Sequence, residues 1–378
     1  MNKGWREVKL GDVILLNYGK ALISSNRIHG SIPVYSSGGI TGYHNNPLVN
    51  SDGIIVGRKG TVGTVYYSPS PFFCIDTAYY ILPSDEYNIK YMYYRLRSLG
   101  LERLNEDSAV PGLNRDTAYS QTFLLPPLYE QEVIAKTLSC LDDMIELNEA
   151  VNHHLDAMAQ ALFKSWFVDF EPFLDKEFTE SEVWSIPKGW KIINFSSFLT
   201  SRTEKSNDSS IPMFSVTDNG IFLRSEKFNI NLSSIHTKNK IIKKTDIVFG
   251  MSREVLNWGI MRSEIGGVSS AYNVFSVDNS INTKYFESFI KTHPIYFKDL
   301  IRPASREGQS VDKGALMEKS IYLPPLSVLE DFYAIEDSLT ECIKANVDEN
   351  RRLATLRDTL LPRLMSGELR VSDIEPSK

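Results

Sequence analysis

A chain of 378 residues has room for two domains of ordinary size plus additional helices. At 42% hydrophobic and 23% charged residues it is not a disordered chain. It has no apolar run of 18 residues and no signal-like start, which argues against a membrane partner and predicts a cytoplasmic protein. The formal net charge of −6 discourages a polyanionic partner only when taken whole. Residues 1–127 hold 12 Lys+Arg against 10 Asp+Glu and residues 183–325 hold 19 against 13, whereas residues 128–182 hold 3 against 13 and residues 326–378 hold 7 against 11. Either the positive segments approach a polyanion, or the acidic ones are simply long solvated helices.

Residues 4–127 open GWREVKLGDVI and continue as short β-branched and aromatic runs broken by Gly, Asn and Pro: IPVYSSGGITGYHN, GIIVGRKGTVGTVYY, FFCIDTAYYIL. These read as strands and tight turns. GRKGTVG at 57–63 has the wrong spacing for a phosphate-binding loop and no helix after it, so it reads as a hairpin. One helix is predicted over Ile89–Leu99, with Tyr91, Tyr94 and Leu96 inward.

After Pro126 and Pro127 no proline or glycine occurs until Pro172, so about forty residues, about 60 Å, can stay helical. Ile134, Leu138, Leu141, Ile145, Leu155, Ala159, Leu162 and Trp166 recur at the spacing of a coiled-coil seam rather than a core-facing stripe. Residues 171–188 are acidic and proline-containing, as in a linker. At 189 the domain starts over: GWKIINFSSFL echoes GWREVKLGDVI, IPMFSVTDNGI echoes IPVYSSGGI, SSAYNVF echoes DTAYYIL, and TKYFESFIKTH echoes IKYMYYRLRS. A second LPPL follows at Leu323, with no proline until Pro362, near MSGEL. Shifting the first helical stretch by 198 positions lays Leu141 on Leu339, Ile145 on Ile343, Asn148 on Asn346, Asn152 on Asn350 and Leu162 on Leu360. A repeat of this size means duplicated domains rather than a solenoid. The expected divisions are 1–127 and 189–325 as globular domains, 128–170 and 326–368 as helices, 171–188 as linker and 369–378 as tail.

The simplest assembly is α+β, with two mixed β-rich domains related by pseudo-two-fold symmetry and separated by an antiparallel pair of long helices. Facing residues in such a pair share an index sum, and 498 sets Asn148 on Asn350, Asn152 on Asn346, Ile145 on Leu353, Leu138 on Leu360, Ile134 on Leu364, Ala159 on Leu339, Leu155 on Ile343 and Trp166 on Phe332. Two readings of the asparagines stand: buried seam residues that fix register at a cost of about 1–2 kcal/mol relative to leucine, or edge residues bonded to water.

Catalytic signatures are missing. There is no GxxxxGK[ST], HExxH or GxSxG, no Asn/Asp-Pro-Pro-aromatic tetrad for amino-group methylation, and no persuasive nuclease cluster. Cys74, Cys140 and Cys342 form no ligand pattern and read as buried small hydrophobes, so no metal or cofactor is expected. Base reading requires polar side chains on exposed turns. The candidates are Ser36, Ser37, Arg58, Lys59, Asn114 and Arg115 in the first domain, and Asn219, Arg253, Asn257, Arg306, Gln309 and Ser310 in the second. Any one of them can equally be a phosphate contact or plain surface. Trp5, Trp190, Tyr79 and Tyr272, at matching places, read as structural.

GWREVKLGDV, IPVYSSGGITGY, GRKGTVGTVYY, DTAYYIL, LPPLYEQEVIA and LFKSWFVDF, then IPKGW, LPPL and MSGEL, resemble the specificity subunits of type I restriction-modification systems. The resemblance covers nearly the whole chain. It implies a non-catalytic subunit with two target recognition domains, each reading one half of a split double-stranded DNA site. It also implies helices that set the gap and dock two modification (methyltransferase) subunits, with restriction subunits as an optional addition. The second copy departs from the pattern, with Val328-Leu329 where the first has Glu130-Gln131. Since a Glu or Gln in the first helical turn can cap free amides, this predicts a less firm start for the second helix or different docking there. Competing readings are a coiled-coil protein scaffold that reads no DNA, supported by the overall acidity, and a DNA-binding remnant of a fused restriction-methylation enzyme.

Overall fold

The computed structural model describes residues 4–104, 112–181, 183–206, 208, 210–217, 220–226, 239–252, 255–301 and 311–370. The chain forms two compact units, one of Met1–Asn152 with Cys342–Lys378 and one of His153–Glu341, so the division falls inside both long helices.

The first unit runs β1 (Arg6–Lys9), β2 (Asn17–Tyr18), β3 (Ile32–Ser36), β4 (Gly39–His44), β5 (Gly53–Gly57), β6 (Val65–Ser68), β7 (Phe73–Cys74), β8 (Ala78–Ile81), α1 (Ile89–Ser98), α2 (Arg115–Tyr119), β9 (Thr122–Leu125) and the start of α3 (Leu128–Phe167). Its main sheet has the order β2-β8-β5-β6, beside a β4-β3-β7 sheet and a β1-β9 pair. Strand β5, GIIVG, is buried along its whole length. Because strand side chains alternate, Ile54 and Val56 enter one core with Tyr91 and Leu138, while Ile55 enters another with Tyr35, Phe72 and Cys74. Residues 57–63 form the turn between β5 and β6, which pair antiparallel. Helix α1 begins where the Asn88 side chain accepts from Tyr91 N, and it buries Tyr91, Tyr94 and Leu96.

The second unit continues with β10 (Phe178–Glu180), β11 (Ser185–Pro187), β12 (Lys191–Asn194), β13 (Leu199–Ser201), β14 (Lys205–Ser206), β15 (Phe214–Thr217), β16 (Gly220–Leu223), β17 (Asn239–Lys243), β18 (Ile247–Phe249), β19 (Trp258–Ile260), β20 (Ile265–Val268), β21 (Asn273–Val277), α4 (Thr283–Thr292), α5 (Lys313–Glu318), β22 (Ser320–Leu323) and α6 (Leu326–Ser366). Its main sheet, β13-β21-β18-β19, repeats the order of the first, and β12-β22 repeats β1-β9. The alternation repeats too: Ile247 and Phe249 of β18 face one core and Val248 another.

The ladders correct the matching of Tyr79 with Tyr272. Gly57 N donates to Thr64 O and Gly250 N to Asn257 O, each at 2.8 Å, which makes the two hairpins equivalent. Val56 then pairs Tyr79 and Phe249 pairs Asn273. Asn273 thus takes the place of Tyr79, and its side chain does the same work: Tyr79 Oη donates to Leu113 O at 3.2 Å and Asn273 Nδ2 to Val311 O at 2.9 Å. A one-residue shift in a strand exchanges faces, so the matched tyrosines belong to opposite sides.

Residues 171–188, expected to be a linker, are folded. Strands β10 and β11 pair antiparallel, and Phe173 and Ile186 are buried in the core of the second unit. The apolar Phe173, Trp184 and Ile186, spaced along an otherwise acidic stretch, outweigh its composition. Two of the three cysteines also depart from expectation: Cys74 is buried, but Cys140 and Cys342 are exposed on the long helices.

Within the first unit α3 and α6 run antiparallel. Asn148 Nδ2 donates to Asn350 Oδ1 and Asn346 Nδ2 to Asn152 Oδ1, both at 2.8 Å. All four are half-buried rather than fully buried. The helix ends also enter the domain cores: Ile134, Ala135, Leu138, Leu361, Leu364 and Met365 belong to the core of the first unit, and Phe163, Phe167 and Phe332 to that of the second, where Trp166 faces Phe332 as expected, with ring centroids 5.9 Å apart. A face that meets a sheet is buried more deeply than one that meets a single helix. Helix α6 also passes through Pro362 to Ser366. An interior proline costs about 3 kcal/mol, and the burial of Leu361, Leu364 and Met365 around it offsets that cost. The asparagine pair gives a direct test. Asn148→Leu leaves the Asn350 carbonyl oxygen without its donor and should destabilise the first unit by about 1–2 kcal/mol in denaturant unfolding. Asn148→Leu with Asn350→Leu should recover most of that loss, whereas additive single effects would show that the pair does not interact.

Candidate nucleic-acid interface

Three of the six candidates in the first unit, Ser37, Arg58 and Lys59, are tied to Thr77, between β7 and β8, and the other three lie beside them in sequence or across a hydrogen bond. Ser37 N donates to Thr77 Oγ1 at 3.3 Å, and Arg58 N and Lys59 N both donate to Thr77 O, at 2.9 and 3.0 Å. Leu113 N donates to Arg58 O at 2.8 Å and Lys59 bridges Gly112, which brings residues 112–115 to the same place. Ser36 Oγ donates to Gly39 O and accepts from Gly38 N, each at 3.2 Å, shaping the β3–β4 turn. Arg58 Nη1 donates to Asp76 O at 3.0 Å. Ser36, Arg58 and Arg115 are half-buried, Lys59 is exposed, and Ser37 is buried with its backbone engaged on both sides. Asn114 is exposed but already occupied, because its side chain caps α2 by accepting from Asp116 N and Thr117 N.

Sequence reading missed Tyr18. Its ring, 49% exposed at the end of β2, lies 4.9 Å from the Arg58 guanidinium carbon and 5.5 Å from that of Arg115. Behind it stands Tyr79, with ring centroids 5.1 Å apart. Burial, with Tyr18 next, pushes the Tyr79 hydroxyl up to about 12, and the two arginines work the other way. Tyr79 therefore stays neutral and donates to Leu113 O. Nothing in local sequence joins positions 18, 58 and 115; only the sheet order does.

The second unit builds the corresponding surface from other residues. Met251 follows Gly250 where Arg58 follows Gly57, and Lys313 opens α5 where Arg115 opens α2. Asn257 is half-buried and spent on its own turn, donating to Met251 O at 2.6 Å and accepting at its carbonyl from Gly250 N. Lys240 Nζ donates to Tyr272 O at 2.6 Å; burial first, then Lys205 and Lys313, lower its pKa. Asn219, Arg253, Arg306, Gln309 and Ser310 lie outside the described residues. Among the described residues no three His, Cys, Asp or Glu side chains gather as a metal site, and no helix is long and apolar enough to cross a membrane.

Glu130 and Gln131 turn out to join domain to helix rather than cap it. Trp5 Nε1 donates to Glu130 Oε2 at 2.8 Å; Asn88 N donates to Gln131 Oε1 and Gln131 Nε2 to Pro126 O, each at 2.9 Å. The helix starts are alike in both copies, with Gln131 N donating to Pro127 O and Leu329 N to Pro325 O. The two starts therefore share one backbone pattern, and what the second copy lacks is the side-chain bonds of Glu130 and Gln131. In the second unit Trp190 sits among Phe167, Phe170, Phe173 and Tyr322, and Lys284 of α4 pairs with Glu336 and Asp337 of α6.

A β-rich domain of this design, present twice and joined to long helices, is the fold of known proteins. A crystal structure of a type I restriction-modification S subunit from M. genitalium matches 96% of this chain and 96% of its own, with a TM-score of 0.57 at 16% identity. A structure described as concerning complex assembly and conformational transition of the type I R-M system matches 97% and 98%, with a TM-score of 0.51 at 14% identity. In sequence, residues 2–157 match the family described as type I restriction modification DNA specificity domain. The type I restriction enzyme MjaIX specificity subunit of Methanocaldococcus jannaschii is 26% identical over 339 residues, covering 85% of this chain and 78% of its own. The HindI specificity subunit of Haemophilus influenzae is 22% identical over 328 residues, covering 68% and 71%. Over residues 2–157 and through these relatives, the chain is similar to the specificity subunits of type I restriction-modification systems.

Proposed function

We propose that each unit reads one half of a split DNA target, with residues 1–127 and 189–325 as the recognition domains and 128–170 and 326–368 as the helices that set the gap. The observation that carries this reading is the gathering of Arg58, Lys59 and Arg115 beside Tyr18 on one surface of the first unit, with Lys313 at the place of Arg115 in the second. The chain supplies recognition and no catalysis. Two modification subunits dock on the helices, and Met144, Leu147 and Val151, exposed along one stretch of α3, offer apolar surface for one of them. Restriction subunits are an optional addition to the complex, and its place is the cytoplasm, where the DNA is.

The test is genome-wide mapping of methylated adenines in cells carrying this chain with its modification subunit, against cells lacking this chain. A split motif with a fixed gap should vanish on deletion. Affinity of the complex for that motif should fall steeply with salt, the logarithmic slope growing by about 0.9 per phosphate neutralised. If no split motif depends on the chain beside an active partner, the scaffold reading replaces this one.

A further inference from the structure

We propose that Arg58 and Arg115 form a two-guanidinium fork that reads a guanine in the half-site of the first unit, with Tyr18 as the residue that positions them. This rests on the DNA-reading assignment above and names one base of it. Two like charges are held within 5.5 Å of one ring centroid, yet among the described residues neither makes an ion pair with a carboxylate. What holds them is the Tyr18 ring, a second ring for each, Tyr79 at 5.8 Å from Arg58 and Tyr119 at 5.9 Å from Arg115, and, for Arg58, the Asp76 carbonyl. Such a pair is unfavourable by itself and favours a ligand rich in acceptors. Among the described residues the buried Nε of Arg115 has no partner, as is also true of Arg27 and Arg95, which leaves it a donor free for a ligand.

Guanine, rather than phosphate, follows from three features. Arginine presents a rigid planar fork that matches the O6 and N7 acceptors of guanine, whereas a phosphate is served as well by a mobile ammonium. The fork is pre-oriented by stacking, so little rotamer entropy remains to be lost on binding. Most decisive is what the duplication kept. Trp5 and Trp190, Gly57 and Gly250, and the capping Asn88 and Asn282 are retained as scaffold. The fork is not: Met251 and Lys313 stand for Arg58 and Arg115. Thr203 stands for Tyr18, each eight residues past the start of its 3-10 turn at Phe195 or Leu10. Residues that read sequence must differ between halves that read different sequences, while residues that hold a backbone common to all DNA need not. The turn also lets a base edge come close, since Gly60 sits at φ 80° beside Lys59.

The experiment uses the complex of this chain with its modification subunit and reads methylation of DNA duplexes carrying each base at every position of the mapped motif. Arg58→Lys and Arg115→Lys keep the charge and remove the fork. They should lower the preference for one G·C pair in one half-site by about tenfold or more, while the other half-site stays strictly read and serves as the control for folding. Tyr18→Phe should keep the wild-type motif and Tyr18→Ala should loosen that same guanine. Two results would overturn the proposal: a motif that both lysine variants leave unchanged, or a loss spread evenly over all sequences, which would make the fork a phosphate clamp. A wild-type complex that recognises no split motif would instead sink the DNA-reading assignment itself.

Discussion

Replacing Arg95 with alanine should destabilise the first unit by about 3–5 kcal/mol, the size of effect expected when a buried charged hydrogen-bond hub is removed. Arg95 reaches from α1 and is only 6% exposed. Its Nη2 donates to Tyr91 Oη at 3.1 Å, to Leu124 O at 3.0 Å and to the Met365 carbonyl, and its guanidinium lies 5.1 Å from the ring of Phe123. One side chain thus ties α1 to β9 and to the last turn of α6, whose carbonyls have no partner within the helix. Without it those carbonyls stay buried and unsatisfied. Arg95→Lys should rescue only in part, because the shorter lysine side chain stops before the position from which Nη2 reaches all three acceptors. Denaturant unfolding gives the magnitude, and hydrogen exchange should show faster opening of the amides preceding Ser366. A loss below about 1 kcal/mol would mean that the end of α6 is held by packing alone.

Phe167→Ala should cost the second unit about 3–5 kcal/mol through the cavity it leaves. Phe167 is fully buried at the end of α3, with ring centroids of Phe332, Phe163, Tyr285 and Trp190 at 4.8, 4.9, 5.2 and 5.9 Å. These rings come from α3, α4, α6 and the entry to β12, so the cavity opens where four segments meet. The Tyr322 hydroxyl, which donates to the Phe167 carbonyl, stays in place and does not offset the loss. Phe167→Leu fills much of the volume and should cost clearly less. Equal losses for the two substitutions would point to ring stacking rather than volume as the dominant contribution.

What could be read in the sequence was whatever has a local or periodic cause. The two LPPL starts, the proline-free stretches after them and the alternation in GIIVG locate helices and a buried strand, because each depends on residues within a few positions of one another. The echo of Gly-Trp openings and the asparagines at a constant shift revealed a duplication, because a copied chain keeps its spacing. Composition misled where a few large apolar side chains outweigh many acidic ones, as at Phe173 and Ile186 in a segment that resembles a linker. It misled again at Glu130 and Gln131, whose position suits capping but whose side chains reach Trp5 and the segment around Asn88.

The candidate surface divides in the same way. Turn chemistry picks out Ser36, Ser37, Arg58, Lys59 and Arg115 one at a time, since Gly- and Ser-rich turns and the residues beside them are visible in one dimension. The convergence of Ser37, Arg58 and Lys59 on Thr77, and the ring of Tyr18 between two arginines, are not visible there. By itself the sequence determined the elements, the duplication and the resemblance to a known family. Only the tertiary structure decided which side chains share a surface, because strands distant in sequence become neighbours through a sheet order, β2-β8-β5-β6, that no local pattern encodes.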